Sequence, residues 1–238
     1  GTKVEPIIEQ LMKISNKKRD MVKEITLDMA NSMKTIAKKC FPKAVQVTDR
    51  FHVQKLALEA LQDIRIKHRW DAIDQENEHI KRAKEKNRAF VPKEFSNGDT
   101  RKQLLARSRY LLYKSPNNWT PNQSERSRIL FSQYPDIKLA FELVQGLRHI
   151  FNTATTIQVA YTKLAHWYKD VENTGFRAFN TIANTISLNY RSILNYFINR
   201  STNASAESFN AKIKAFRTQF RGVRNTEFFL FRLTQLFA

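Results

Sequence analysis

The sequence predicts a mostly α chain with a small α/β part, and three observations predict it. Only five Gly and six Pro punctuate 238 residues, so long uninterrupted helices are favoured. Strand-like alternation is confined to two short runs, 21–28 and 44–48, joined by a helical stretch. No strand pattern occurs anywhere from 53 to 199. With 42% hydrophobic and 11% aromatic residues, the chain can build a sizeable core.

Val4 to Ile14 carries apolar residues at 4, 7, 8, 11, 12 and 14, an amphipathic helix with Pro6 in a first turn that tolerates it. A polar run, SNKKRD, closes it. In 21–28, Ile25 and Leu27 alternate with Glu24, Thr26 and Asp28, which reads as a strand ending in an acid. A helix over MANSMKTIAKKCF follows, Pro42 breaks it, and AVQVT reads as a second strand ending at Asp49. Strand–helix–strand over so few residues predicts a parallel, right-handed unit. From Val53 to about Arg88 the pattern is one long charged helix, its part after Asp74 solvated. Loops at 90–100 and 115–123 separate helices predicted at 100–114 and from 121 on. Further helices are predicted to end at about Phe151, Val171 and Asn199. The last segment reads as a basic helix from Ser201, a stop at Gly222 and a final apolar helix, NTEFFLFRLTQLF, whose Phe228, Phe229, Phe231, Leu233 and Leu236 need a packing partner.

The net charge of +19 and a pI near 10.1 point to a polyanionic partner, most simply nucleic acid. No apolar run approaches the roughly 20 residues that span a bilayer, and the first residues are polar, unlike a signal peptide. The single Cys40 excludes an intrachain disulfide framework and a cysteine zinc cluster, and it suits a reducing, cytoplasmic compartment.

Phosphodiester chemistry needs phosphate charge neutralised and a water or hydroxyl activated, which carboxylate-held divalent ions do. Asp28 and Asp49 stand at the carboxyl ends of the two strands, where parallel sheets place ligands. Each is equally able to cap the helix that follows it. Glu207 is the only acid between Glu172 and Glu227 and sits amid Lys212, Lys214, Arg217, Arg221 and Arg224. It reads either as a metal ligand beside a phosphate-gripping basic surface or as a charge-balancing acid on a basic helix. On that helix Glu207, Asn210 and Lys214 share one face, while Phe209, Ile213, Phe216 and Phe220 share another. His68, His79, His149 and His166 have no metal-ligand spacing and read as surface or core filler. Trp70, Trp119 and Trp167 read as core residues, with base stacking as the alternative. No nucleophile elbow, Gly-rich phosphate loop or HExxH is present.

Two runs carry a resemblance. EITLDMANSMKTIAKKCFPKAVQVTDRFHVQKL resembles the middle of a bacterial DDE-type insertion-sequence transposase: a strand ending in Asp28, a helix, the Phe41-Pro42-Lys43-Ala44 turn, a second strand, then Asp49-Arg50-Phe51-His52. NASAESFNAKIKAFRTQFRGVRN resembles the family's third acidic motif, with Glu207 followed by Asn210, Lys212 and Lys214.

The resemblance implies an incomplete RNase H-like core interrupted by a large all-helical insertion: 1–52 as partial core, 53–199 as insertion and 200–238 as the core helices bearing the catalytic Glu. It implies Asp28 and Glu207 as catalytic acids holding Mg²⁺ (or Mn²⁺), two ions in the intact enzyme, with Asp49 as the alternative ligand. Asp49, His52 and Asn210 form the signature near the site. Lys212, Lys214, Arg217, Arg221 and Arg224 would contact the phosphates of transposon-end and target DNA. The implied reaction is strand cleavage by water, then attack of the 3′-hydroxyl on target DNA. The family's first catalytic Asp lies on a strand meander upstream of Val4, so the chain is expected to be a fragment, inactive alone. Two other readings stay open: a non-catalytic basic helical domain that binds DNA or assembles a complex, and a nuclease on the same core. Open sheet edges predict self-association as a homo-oligomer. The expected setting is the bacterial cytoplasm, with the nucleoid and no membrane.

Overall fold

The computed structural model describes residues 3–220 and 222–237. Two compact units divide them: one joins the residues up to Asp49 with those from Arg200 onward, and the other runs from Arg50 to Asn199.

The first unit opens with α1 (Val4–Met12), α2 (Asn16–Asp20), β1 (Glu24–Leu27), α3 (Asn31–Cys40) and β2 (Val45–Thr48). The apolar stripe of α1, Val4, Ile7, Ile8 and Leu11, packs on Met33, Ile36, Cys40 and Phe41, which is why the 3.6-residue period is so regular there. The polar run after α1 is not irregular but forms α2. Arg19 explains this, because its guanidinium donates to the carbonyls of Ile14 (3.0 Å) and Cys40 (2.8 Å) and ties the short helix to both neighbours. The strands are shorter than their patterns, and they pair in parallel as expected, Glu24 opposite Val45 through Leu27 opposite Thr48. The ladder continues by one bond at each end, Val45 N–H to Lys23 O (2.8 Å) and Asp49 N–H to Leu27 O (2.9 Å).

The second unit is built on α4 (Arg50–Glu85), 36 residues and about 54 Å long. It starts three residues earlier than its pattern, so His52 lies in its first turn. Its first half buries Val53, Ala57, Ala60, Leu61 and Arg65, and beyond Ala72 it buries nothing, in line with the charged run there. Around it lie α5 (Arg101–Arg107), α6 (Arg109–Tyr113), a short 3₁₀ turn at Pro116–Asn118, α7 (Pro121–Gln133), α8 (Pro135–Thr153), α9 (Ile157–Thr174), α10 (Arg177–Leu188) and α11 (Tyr190–Asn199). Capping boxes at Thr100–Gln103 and Thr120–Gln123 start α5 and α7. Two helices read as continuous are split. Ser108 sends its hydroxyl to Leu104 O (2.6 Å), and Asn189 sends its amide to Thr185 O (2.7 Å), each competing with the helical ladder at the break. The core is formed by Leu61, Leu104, Leu130, Leu147, Phe151 and Phe179, all fully buried.

Of the three tryptophans, Trp167 is a core residue whose indole N–H donates to Leu143 O (2.8 Å). Trp119 is half-buried and donates to Leu111 O (2.8 Å), while Trp70 is 56% exposed, against the core reading. His68, read as surface or core filler, is partly buried and makes one specific contact: its Nε2 meets Asp136 Oδ2 at 2.5 Å, while Asp136 Oδ1 accepts the Ile137 N–H at the start of α8.

Helix α9 ends on Gly175, whose φ of +66° is left-handed and whose N–H caps Glu172 O (3.2 Å). A Cβ there would meet no atom within 4 Å, so Gly175→Ala should cost only its backbone strain, about 1 kcal/mol. A thermal melt should show a fall of roughly 2–4 °C, and less for Gly175→Asn.

The chain returns to the first unit with α12 (Ala204–Gln219) and α13 (Thr226–Phe237). Phe216 anchors this pair, with ring centroids 4.7 Å from Phe220, 5.4 Å from Phe229 and 6.3 Å from Phe237. The expected packing of α13 is met only by Leu233 and in part by Phe229, whereas Phe228, Phe231 and Leu236 stand more than half exposed. No helix is long and apolar enough to cross a membrane among the described residues.

Candidate active site

The alternation of Ile25 and Leu27 and the Pro42 break set two parallel strands side by side, and the residue after each strand is an acid. Leu27 opposes Thr48, so Asp28 and Asp49 lie at the same carboxyl edge of the pair. Their environments differ. Asp28 is half-buried, and its Oδ1 accepts the Ala30 N–H (3.0 Å), an Asx turn that leads the chain into α3. Its Oδ2 has no hydrogen-bond partner among the described residues. Asp49 is fully buried, and its Oδ2 accepts the backbone N–H of Asn203 (2.9 Å), 154 residues further along the chain.

That bond sets the start of α12. Asn203 occupies the N-cap, and its own carbonyl accepts the Glu207 N–H (2.8 Å), the first turn of the helix. The side chain of Asn203 makes no cap bond among the described residues, and the start of α12 is held by its backbone and by Asp49. Glu207 therefore stands in the first turn of a helix whose opening residue is pinned to the end of β2. Its side chain is exposed, and the helix N-terminus favours an anion there. Its carboxylate makes no hydrogen bond or ion pair among the described residues.

Beyond Glu207, Asn210, Lys212, Lys214 and Arg217 are all exposed along α12, and Arg224 is exposed in the turn after it. None of these four cations pairs with an acid among the described residues, and Lys212 Nζ stands 5.8 Å from the Phe237 ring centroid. Arg221 lies outside the described residues. Arg224 lines a cleft of about 580 Å³ with Phe220, Val223, Phe228, Phe229 and Arg232, and none of the three acids faces that cleft. His52 belongs to the second unit, in the first turn of α4, where its Nδ1 is buried without a hydrogen-bond partner among the described residues.

The structure thus brings Asp28 and Asp49 to one sheet edge and binds the start of the Glu207 helix to that edge through Asp49. It does not gather three His, Cys, Asp or Glu side chains into a metal-holding group among the described residues. The donor type nonetheless fits a hard cation: the candidate ligands Asp28 and Glu207 offer carboxylate oxygens, and one or two carboxylates suffice for an ion that keeps its waters. The Asp49–Asn203 bond was invisible in the sequence, since a backbone N–H leaves no residue signature.

Comparison with known proteins gives three findings. The family model DDE_Tnp_ISL3, described as Transposase, matches residues 2–233. The transposase for insertion sequence element IS1557 of Mycobacterium tuberculosis, from strains CDC 1551 / Oshkosh and ATCC 25618 / H37Rv, is 30% identical over 135 residues, covering 55% of this chain and 29% of the relative. The matched segment therefore spans less than a third of those relatives. No solved structure matches.

Proposed function

This chain belongs to the DDE_Tnp_ISL3 transposase family, and from that premise we propose that it is the catalytic region, with its helical insertion, of an enzyme that cuts insertion-element ends and joins them to target DNA. The observation that carries the reading is the hydrogen bond from Asn203 to Asp49, because it fixes a distant helix and its Glu207 to the strand edge that bears Asp28. We assign the first unit to an RNase H-like core and the second to the insertion within it.

In this reading Asp28 and Glu207 are the carboxylates that hold Mg²⁺ or Mn²⁺. Such ions, when bound, neutralise phosphate charge and favour in-line displacement at phosphorus. The rest is the work of the chain itself. Asp49, buried and committed to Asn203, orients the α12 turn rather than facing the ion. Lys212, Lys214, Arg217 and Arg224, exposed and free of acid partners among the described residues, present positive charge to the DNA backbone beside Glu207, as does Arg221 by its place in the sequence. Asn210, one turn beyond Glu207 on the same exposed helix, offers a neutral donor and acceptor to the substrate.

The test is a cleavage-and-joining assay on a labelled element-end duplex, using the intact protein. Nicking and joined product are expected with Mg²⁺ and neither with a chelator. Cutting without joining would point to a nuclease, and metal-independent DNA binding with no cutting to an assembly domain. For the chain as it stands, log Kd for duplex DNA should rise linearly with log salt, and a flat dependence would remove the backbone grip from the reading.

A further inference from the structure

We propose that Arg65, Arg69 and Arg109, where α4 meets α5 and α6 in the helical unit, form a second anion site, one that takes a nucleic-acid phosphate. The proposal deepens the DNA reading above and rests on it.

The arrangement is built rather than incidental. Arg65 is buried at 5% exposure, its Nε donating to Gln62 Oε1 (2.7 Å) and its Nη1 to Leu105 O (2.8 Å). The Gln62 amide in turn donates to Arg109 O (3.3 Å), so the same chain of bonds holds the first residue of α6 against α4. Arg69 follows Arg65 by one helical turn on the same face. Its Nε is buried and has no hydrogen-bond partner among the described residues. Arg109 is exposed, with its guanidinium carbon 5.5 Å from the Tyr110 ring centroid. No carboxylate lies within ion-pair distance of any of the three among the described residues.

Two arginines one turn apart on α4, with a third at the adjoining start of α6, an unsatisfied donor and no counter-charge among the described residues, are unfavourable by themselves. Burial pulls the Arg65 pKa down, and the nearby charges of Arg69 and Arg109 pull it further, as expected where like charges crowd. A bound anion relieves the like-charge crowding, and a phosphate suits the forked donors of arginine best. A nucleic acid rather than free phosphate is favoured by the surroundings. Trp70 (56% exposed) and Tyr110 (68% exposed) present open rings on the same two helices, which suits bases beside a gripped backbone, and the +19 chain attracts polyanions over single ions.

The experiment is fluorescence anisotropy of a labelled duplex with wild-type chain, Arg69→Gln and Arg109→Gln, titrated with salt, with circular dichroism as the folding check. Each variant should bind about tenfold more weakly at about 100 mM salt and lower the log–log salt slope by about 0.9. If wild type shows no salt-dependent binding, the DNA reading itself fails. If wild type binds and both variants keep its affinity and slope, this site fails while that reading stands. Should Arg69→Gln unfold, the exposed Arg109→Gln decides alone. Inorganic phosphate shifting the Arg69 and Arg109 resonances while the variants leave duplex affinity intact would reduce the cluster to a free-ion pocket and overturn the proposal.

Discussion

Asp99→Ala should destabilise the helical unit by about 3 kcal/mol, the largest stability loss expected from any single charged side chain here. Asp99 is fully buried behind an Asn97-Gly98 turn, with Gly98 at φ +74°. Its Oδ1 is bonded by Arg107, and its Oδ2 by Arg126 Nε (2.7 Å) and Asn97 Nδ2 (2.8 Å). Removing the carboxylate strands two guanidiniums. Arg107, 54% exposed, can turn to water, whereas Arg126, 20% exposed, cannot do so fully, which keeps the cost short of the upper range for buried pairs. The pH dependence has a definite sign. Burial alone would raise the Asp99 pKa, but the hydrogen bonds from Arg126 and Arg107 outweigh it and hold the value below the ordinary 3.8. The folded state therefore binds fewer protons than the unfolded one in that window. The stabilisation is complete above the ordinary carboxylate pKa and is lost as pH falls through the depressed folded value. Urea midpoints should drop between pH 7 and about pH 3 more for wild type than for Asp99→Asn, and an unchanged midpoint for Asp99→Ala at pH 7 would show the pair to be inert.

Asp99 also shows where the sequence was legible and where it was not. The strand pair and its two acids could be read because alternation, Pro42 and a terminal Asp are local signals, whereas the register that sets Leu27 opposite Thr48 came from the structure. The helix bearing Glu207 could be read for the same reason. Loop 90–100 could be recognised by Pro92 and Asn97-Gly98, but nothing local says that Asp99 collects arginines from α5 and α7. Long-range polar contacts carry no period. The same holds for Asp49: the plain alternatives were cap or ligand, and its observed partner is a backbone N–H 154 residues away. The helix breaks at Ser108 and Asn189 were hidden because a small polar residue is tolerated inside a helix and interrupts it only when its side chain takes a backbone carbonyl. The apolar surface of α13 was expected to be covered, and Phe228 and Phe231 are not, since composition tells how much surface needs burial and not what meets it.

In the cleavage assay, Glu207→Gln should lower the rate at least about 100-fold while leaving the melting temperature within about 1 °C of wild type. The two halves of that expectation come from one observation. Glu207 is exposed and its carboxylate has no partner among the described residues, so neutralising it removes only a favourable helix-terminus charge, a few tenths of a kcal/mol. A side chain that supports nothing in the fold yet controls the rate must act on substrate or ion. Asp28→Asn should behave alike, because the amide oxygen still accepts the Ala30 N–H and keeps the Asx turn. Asp49→Asn separates the roles. An amide oxygen can replace Oδ2 as acceptor for Asn203, but the substitution places an NH₂ in a fully buried position that held a carboxylate. It should therefore lower stability by about 1–2 kcal/mol and reduce the rate only through looser placement of α12. The contrast decides between the two aspartates as ligands: if Asp49→Asn abolished cleavage at unchanged stability while Asp28→Asn remained active, the ligand would be Asp49 and the buried bond to Asn203 would have to open on binding the ion.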